Sequence, residues 1–289
     1  MSQTAYLRGL FAYPFMVNAF RAGTIVAVMA GTLGWFTVVR RQAFAAHTLA
    51  LVGFPGAAAA TLVGLPPATG YFATCVGAGV VVGAGPALRH SEGYGGESAL
   101  IGSVQALLLA CGFLFVNLYR GNLGGLSSLL FGNFLGITPG QVLALLVVAL
   151  AAVAAVAWAA RPLLFASVDP DAAAAAGVPV RALSILFLAL LGAAAAEASQ
   201  ITGSLLVFAL LILPAATAQA ITPRPAASLA LSLALAVAAT WVGLAVAYWS
   251  SYPVGFLVTT FAFAPYVAAR GVASVRARGW RRSGEAGLA

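Results

Sequence analysis

The sequence predicts an all-α, polytopic helical membrane protein with about eight or nine transmembrane helices, and three observations carry that expectation. The first is composition. The chain of 289 residues is 62% hydrophobic and 7% charged, with a mean hydropathy of +1.02, whereas soluble domains carry about 25% charged residues. The second is the shape of the apolar runs, which are long and do not alternate. Lipid offers the backbone no water, so a span is a helix or part of a closed barrel. Barrel strands would be about ten residues of alternating polarity, so helices are expected here. The third is charge. Lysine is absent, and all 14 basic residues are arginines, gathered at the ends of apolar runs as the positive-inside bias requires.

The net charge of +8 could in a soluble chain point to nucleic acid. The interleaving of aromatic and basic residues that such a site needs is missing, so no nucleic acid is expected, and the partner surface is the lipid bilayer. Cys75 and Cys111 both lie in apolar runs and read as packing residues. No cleavable signal, Walker motif or paired catalytic constellation is visible, so the chain is not expected to be an enzyme.

Taken in order, the whole of 1–289 reads as one transmembrane domain. Residues 1–14 form an interfacial N-terminal segment. Spans are expected over 22–39, 44–65, 68–88 and 98–119. Pro66-Pro67 ends the second span, because proline lacks the donor and clashes with the preceding turn. The loop 89–97 holds His90, Glu92 and Glu97 without ligand spacing, which reads as a solvated loop. Residues 120–138 are Gly-rich, with a short helix expected around Ser127–Asn133. A fifth span covers 139–160. A short polar helix then lies within 167–179, with Asp169, Pro170 and Asp171 at its start and Gly177 at its end. Asp169 suits an N-cap and Pro170 a first turn. Spans at 182–201, 203–221, 226–249 and 254–269 follow, and 271–289 is a basic tail expected to be unstructured.

Placing the polar helix in the cytoplasm puts Arg40, Arg41, Arg89, Arg161, Arg181, Arg224 and the Arg-rich tail inside. Only Arg8, Arg21 and Arg120 fall outside. The expected orientation is therefore N-terminus outside and C-terminus cytoplasmic, and the alanine- and arginine-rich, lysine-free composition points to a bacterial inner membrane.

Several motifs occur together in one order. They are Arg40-Arg41 after the first span, Ser128-Leu-Leu-Phe-Gly132 ahead of the fifth, and Asp171, Ala173, Gly177 and Val178 in the polar helix. The stretch 203–218, GSLLVFALLILPAATA, closes the set. This pattern resembles the permease subunits of the zinc/manganese/iron ABC importers, the ABC-3 type, over most of 15–270. The resemblance implies a fold similar to type II ABC importer permeases. It also implies a homodimer, two ATP-binding subunits that hydrolyse ATP elsewhere than in this chain, and an extracytoplasmic metal-binding protein. The cargo is a divalent metal ion, zinc first and manganese or iron next, with no resident cofactor.

On this reading the polar helix is the coupling helix, with Asp169, Asp171, Ala173, Ala176 and Gly177 at the ATPase. The family segment after the Arg pair resembles Gly-Asp-x-Leu-x-His-x-x-Leu-Pro-Gly. Here His47 stands at the Asp position and Leu51 at the His position, with Pro55 and Gly56 closing the segment. Imidazole suits zinc better than manganese, so His47 is a metal-path candidate, against the plainer reading of a packed histidine. Glu197, the only acidic residue in an expected span, and Gln200, nearly a turn on, are further path candidates. The plainer reading puts Glu197 at the water interface. Gly203 and Pro214 are hinge candidates, since a proline inside a helix frees a carbonyl. Two other functions remain open: an importer of a chelated metal or cobalamin-like ligand, which needs a wide path rather than ion ligands, and an ion-coupled secondary carrier using Glu197.

Overall fold

The computed structural model describes residues 12–85, 93–119 and 136–286, and all its regular structure there is helical. The helices are α1 (Pro14–Val39), α2 (Ala43–Leu51), α3 (Gly53–Leu62), α4 (Pro67–Ala84), α5 (Gly93–Leu118) and α6 (Pro139–Val168). They continue with α7 (Pro170–Ala175), α8 (Val180–Thr202), α9 (Ser204–Ile221), α10 (Pro225–Trp249) and α11 (Val254–Ala286). Among the described residues eight stretches are long and apolar enough to cross a membrane, α2 and α3 together making one of them. A shorter apolar helix, Leu206–Ile221, lies in α9. The protein is thus a polytopic helical membrane protein.

Several element boundaries differ from expectation. α1 begins at Pro14 rather than at 22, because proline fits a first turn and Asn18 finds a partner in the Ile137 carbonyl at 3.1 Å. The second span is two helices. Pro55 has no N–H for the Leu51 carbonyl, so α2 ends at Leu51 and α3 restarts at Gly53. α6 runs on past Pro162 to Val168. α11 continues through Ala286, where an unstructured tail was expected; alanine and arginine are strong helix formers. Residues 1–11, His90, Glu92 and the Ser127–Asn133 segment lie outside the described residues, as does the side chain of Glu97.

The pairing of helices follows from close contacts. Gly31 of α1 lies against Leu233 of α10. Beside that contact Ser232 Oγ donates to the Gly31 carbonyl (3.0 Å), and Trp35 Nε1 donates to Ser228 Oγ (3.0 Å). These contacts set α1 and α10 antiparallel. α4 and α8 are also antiparallel and meet backbone to backbone. Gly79 packs on the Leu188 carbonyl and Gly192 on the Cys75 carbonyl, so a Cβ at either glycine would collide with main chain. Glycine gives this close approach in lipid, where dispersion rather than hydrophobicity joins helices. α5 runs parallel to α2 and α3, with Thr48 Oγ1 donating to Gln105 Oε1 at 2.7 Å and Gly112 against Pro55.

These pairings bring the end of α1, the end of α4, the end of α6 and the start of α8 to one side of the bundle. Arg181 Nη2 donates to the Ala84 carbonyl there (3.0 Å). The start of α1 and the end of α10 meet at the other side, where Tyr13, Tyr248 and Trp249 form an aromatic group of the kind that marks a membrane–water boundary. α5 and α11 keep the least of their surface inside the chain, leaving Leu107, Phe113, Phe256 and Phe263 exposed.

Candidate functional site

Two sites emerge, one at each level of the bundle. The first is the short helix α7. Asp169 has extended backbone geometry, and its carboxylate accepts from the Ala172 N–H at 2.9 Å, which satisfies one of the orphan donors of a helix start. The far end closes with Val178 N–H on the Ala173 carbonyl and Gly177 N–H on the Ala174 carbonyl, both 3.0 Å. That pair of bonds needs a left-handed residue after the helix, and Gly177 supplies it at φ +83°. The six-residue helix is therefore fixed at both ends. Asp169, Asp171, Ala172, Ala174, Ala176 and Gly177 are exposed. Ala173 is not: it is fully buried and belongs to the core. The presented surface is the opposite face, and a bulky residue at position 173 would disturb packing first.

The second site lies inside the bundle, where α2, α8 and α9 meet. His47 is half-buried on α2, and its ring stands edge-on to Phe208 of α9, with centroids 4.7 Å apart at 66°. Its Nδ1 is buried with no hydrogen-bond partner. Leu51, one turn on, is half-buried beside it. Glu197 is largely enclosed by the chain, 9% exposed. It shares the end of α8 with Ser199 and Thr202, both buried. Thr202 Oγ1 donates to the Ala198 carbonyl (2.9 Å), but Ser199 Oγ has no partner. The side chain of Gln200 lies outside the described residues.

α8 ends at Gly203, with φ +80° and ψ 149°, and α9 begins at the next residue. That backbone region is almost exclusive to glycine. The junction is not at the surface. Gln219 of α9 donates to the Trp35 carbonyl near the inner end of α1 (3.2 Å). From that level α1 rises about six turns to Pro14 and α9 only about four to Ser204. The break between α8 and α9 therefore sits within the depth of the bundle. Pro214 is buried inside α9, and the helix runs on through it. Pro55 and Gly56 are buried in the first turn of α3, where Gly56 packs on the backbone of Gly70 in α4.

Among the described residues no group of three His, Cys, Asp or Glu side chains could hold a metal ion. Sequence reasoning missed Ser199 and Phe208. Nothing in a run of small and apolar residues singles them out, and only helix packing shows that one lacks a partner and the other faces His47.

The profile of the ABC 3 transport family matches residues 12–272. The chain belongs to that family. Its similarity extends to the manganese transport system membrane protein MntC of Halalkalibacterium halodurans, 27% identical over 177 residues. That match covers 61% of this chain and 59% of MntC. The chelated iron transport system membrane protein YfeC of Yersinia pestis is 30% identical over 133 residues, 46% of this chain and 44% of YfeC. The matched stretch thus spans less than two thirds of either relative. Among solved structures, PsaBC from Streptococcus pneumoniae in complex with Fab superposes with a TM-score of 0.80 at 24% identity, covering 93% of this chain and 95% of that one. An inward-facing putative metal-chelate type ABC transporter gives 0.65 at 19% identity, covering 89% and 85%. These structural likenesses show a shared helical fold.

Proposed function

We propose that this ABC 3 family chain is the transmembrane permease subunit of an ATP-driven importer of divalent metal ions, working as a homodimer. Two ATP-binding subunits dock on the exposed face of α7, and an extracytoplasmic metal-binding protein docks at the opposite side. The chain then lies in a bacterial inner membrane with its N-terminus outside and its C-terminus in the cytoplasm, as the arginine distribution favours. The chain performs no chemistry of its own; ATP binding and hydrolysis in the partner subunits switch the path.

The observation that carries this reading is the buried Nδ1 of His47, unpartnered among the described residues, on a ring packed against Phe208 of α9. A lone imidazole from each protomer, completed by water, makes a weak transit site. Weak binding suits a path, because the ion must also leave. Imidazole favours zinc over manganese, and the manganese and iron transport relatives put those metals next. Glu197, Ser199 and Thr202 supply oxygen ligands at the buried end of α8, and Gln200 follows in the same turn. The break at Gly203 provides the element with two arrangements that alternating access needs.

A second reading, import of a chelated metal, is favoured by Leu51. An apolar side chain one turn from His47 removes the second ligand that a bare ion would use.

The test is uptake of zinc and manganese into vesicles holding the permease with its ATPase and binding protein, with and without ATP. ATP-dependent uptake that His47→Ala abolishes supports the metal-ion importer. Uptake of metal only as a chelate, with His47→Ala silent, selects the second reading. Metal uptake that ignores ATP but vanishes in Glu197→Gln points to an ion-coupled carrier.

A further inference from the structure

The guanidinium of Arg40 reaches three separate elements, one through each of its nitrogens. Nε donates to Gln42 Oε1 (3.0 Å), at the start of α2. Nη1 donates to Ser167 Oγ (3.4 Å), near the end of α6. Nη2 donates to Ser184 Oγ (3.0 Å), in the second turn of α8. The Arg40 Cζ lies over the Phe187 ring, 5.3 Å from the centroid, and Phe187 packs in turn on Phe36 of α1. Ser184, Gln42 and Phe187 are all buried.

The three partners have a shared meaning. Ser167 and Ser184 stand on the two legs of the loop that presents α7, two residues before the Asp169 cap and a few residues after the Gly177 closure. Because α7 is capped at both ends, it does not flex by itself; a push on it passes to the legs. Gln42, the third partner, belongs to the corner between α1 and α2. That corner is tight. Arg41 sits at φ 58°, the only non-glycine residue with positive φ among the described residues, and Gln42 N–H bonds back to the Thr37 carbonyl (2.9 Å). His47 follows within two turns on α2.

We infer that Arg40 is the positioning residue that transmits displacement of α7 to α2 and so moves His47. It touches neither the cargo nor the ATPase. Its planar fork clamps both legs of the α7 loop to the α1–α2 corner, so the three elements move as one body. A lysine could keep the charge and the stacking on Phe187, but a single ammonium cannot hold three acceptors in fixed directions. This inference rests on the proposed docking of the ATPase at α7.

The experiment uses the whole complex in vesicles and measures zinc and manganese delivered per ATP hydrolysed, together with the amount of ATPase bound. In Arg40→Lys the ATPase remains bound and hydrolyses ATP near the wild-type rate, while metal delivered per ATP falls about fivefold or more, the size of a coupling free energy of ~1 kcal/mol. The pair Ser167→Ala with Ser184→Ala gives a similar fall, and adding Arg40→Lys to it lowers the ratio no further. A wild-type metal-per-ATP ratio in Arg40→Lys overturns the inference. So does a parallel loss of bound ATPase, hydrolysis and uptake, which would make Arg40 a folding residue only. Ala174→Arg, on the exposed face of α7, tests the docking separately. If it releases the ATPase while Arg40→Lys keeps its ratio, docking stands and transmission fails. If the ATPase stays bound and active in Ala174→Arg, α7 is not the dock, and both readings fall.

Discussion

At its first turns α8 is held by satisfied polar bonds: Ser184 accepts from Arg40, and Arg181 donates to the Ala84 carbonyl. At its last turns Thr202 bonds back to the Ala198 carbonyl, but among the described residues Ser199 Oγ is buried without a partner, Glu197 is enclosed, and the helix stops at a glycine with φ +80°. A buried polar group without a partner costs free energy that an apolar residue would not. The bundle carries that cost at one end of a helix whose other end is fully tied. The contrast assigns each end a kind of work. The tied end passes on force, and the untied end meets cargo and changes shape.

The comparison can be broken at several points, beginning where the largest effect is expected. Gly203→Val forces a β-branched residue into a glycine-only backbone region, at a cost of about 2–3 kcal/mol. The detergent-solubilised protein should unfold at a lower temperature, and uptake should be lost. An unchanged unfolding temperature would mean that the break between α8 and α9 relaxes freely. Next come the serines. Ser184→Ala removes an acceptor from a charged donor and should destabilise by about 1.5 kcal/mol, whereas Ser199→Ala should stay within about 0.5 kcal/mol of wild type. Equal losses at both positions, measured by denaturant or thermal unfolding, would erase the distinction between the two ends.

His47→Leu sharpens the same contrast from the side of α2. Its Nδ1 is unpaired, so the substitution should leave stability level or raise it by about 1 kcal/mol, while zinc uptake collapses. A variant that loses stability and uptake together would make His47 a packing residue. The most local effect is expected at α7. Asp169→Ala removes the cap on Ala172 and should cost about 1 kcal/mol, confined to that helix. Hydrogen exchange would show it as faster opening of 170–176, with the spans unaffected.

Much of this was legible in the sequence because a bilayer leaves few choices. Long apolar runs must be helices, and Asp169-Pro170 announced the start of α7 through capping, while the left-handed closure at Gly177 emerged from the structure. The departures came where local rules competed. Pro55 split the second span, while Pro162 did not end α6. Ala173 was expected on the presented face of α7. Six residues make under two turns, and only packing against the core decides which alanine of the run points inward.

The sequence alone determined the class, the alternation of spans and the capped loop, since hydropathy, arginine placement and turn chemistry act locally and survive without tertiary contacts. The tertiary structure decided what no local rule reaches. Arg40 gathers Ser167 and Ser184 from more than a hundred residues away, His47 faces Phe208, and the Gly203 break lies inside the bundle rather than at its surface. Each depends on which helix faces cross in space. In a chain built so largely from alanine, leucine, valine and glycine, many faces look alike until packing chooses among them.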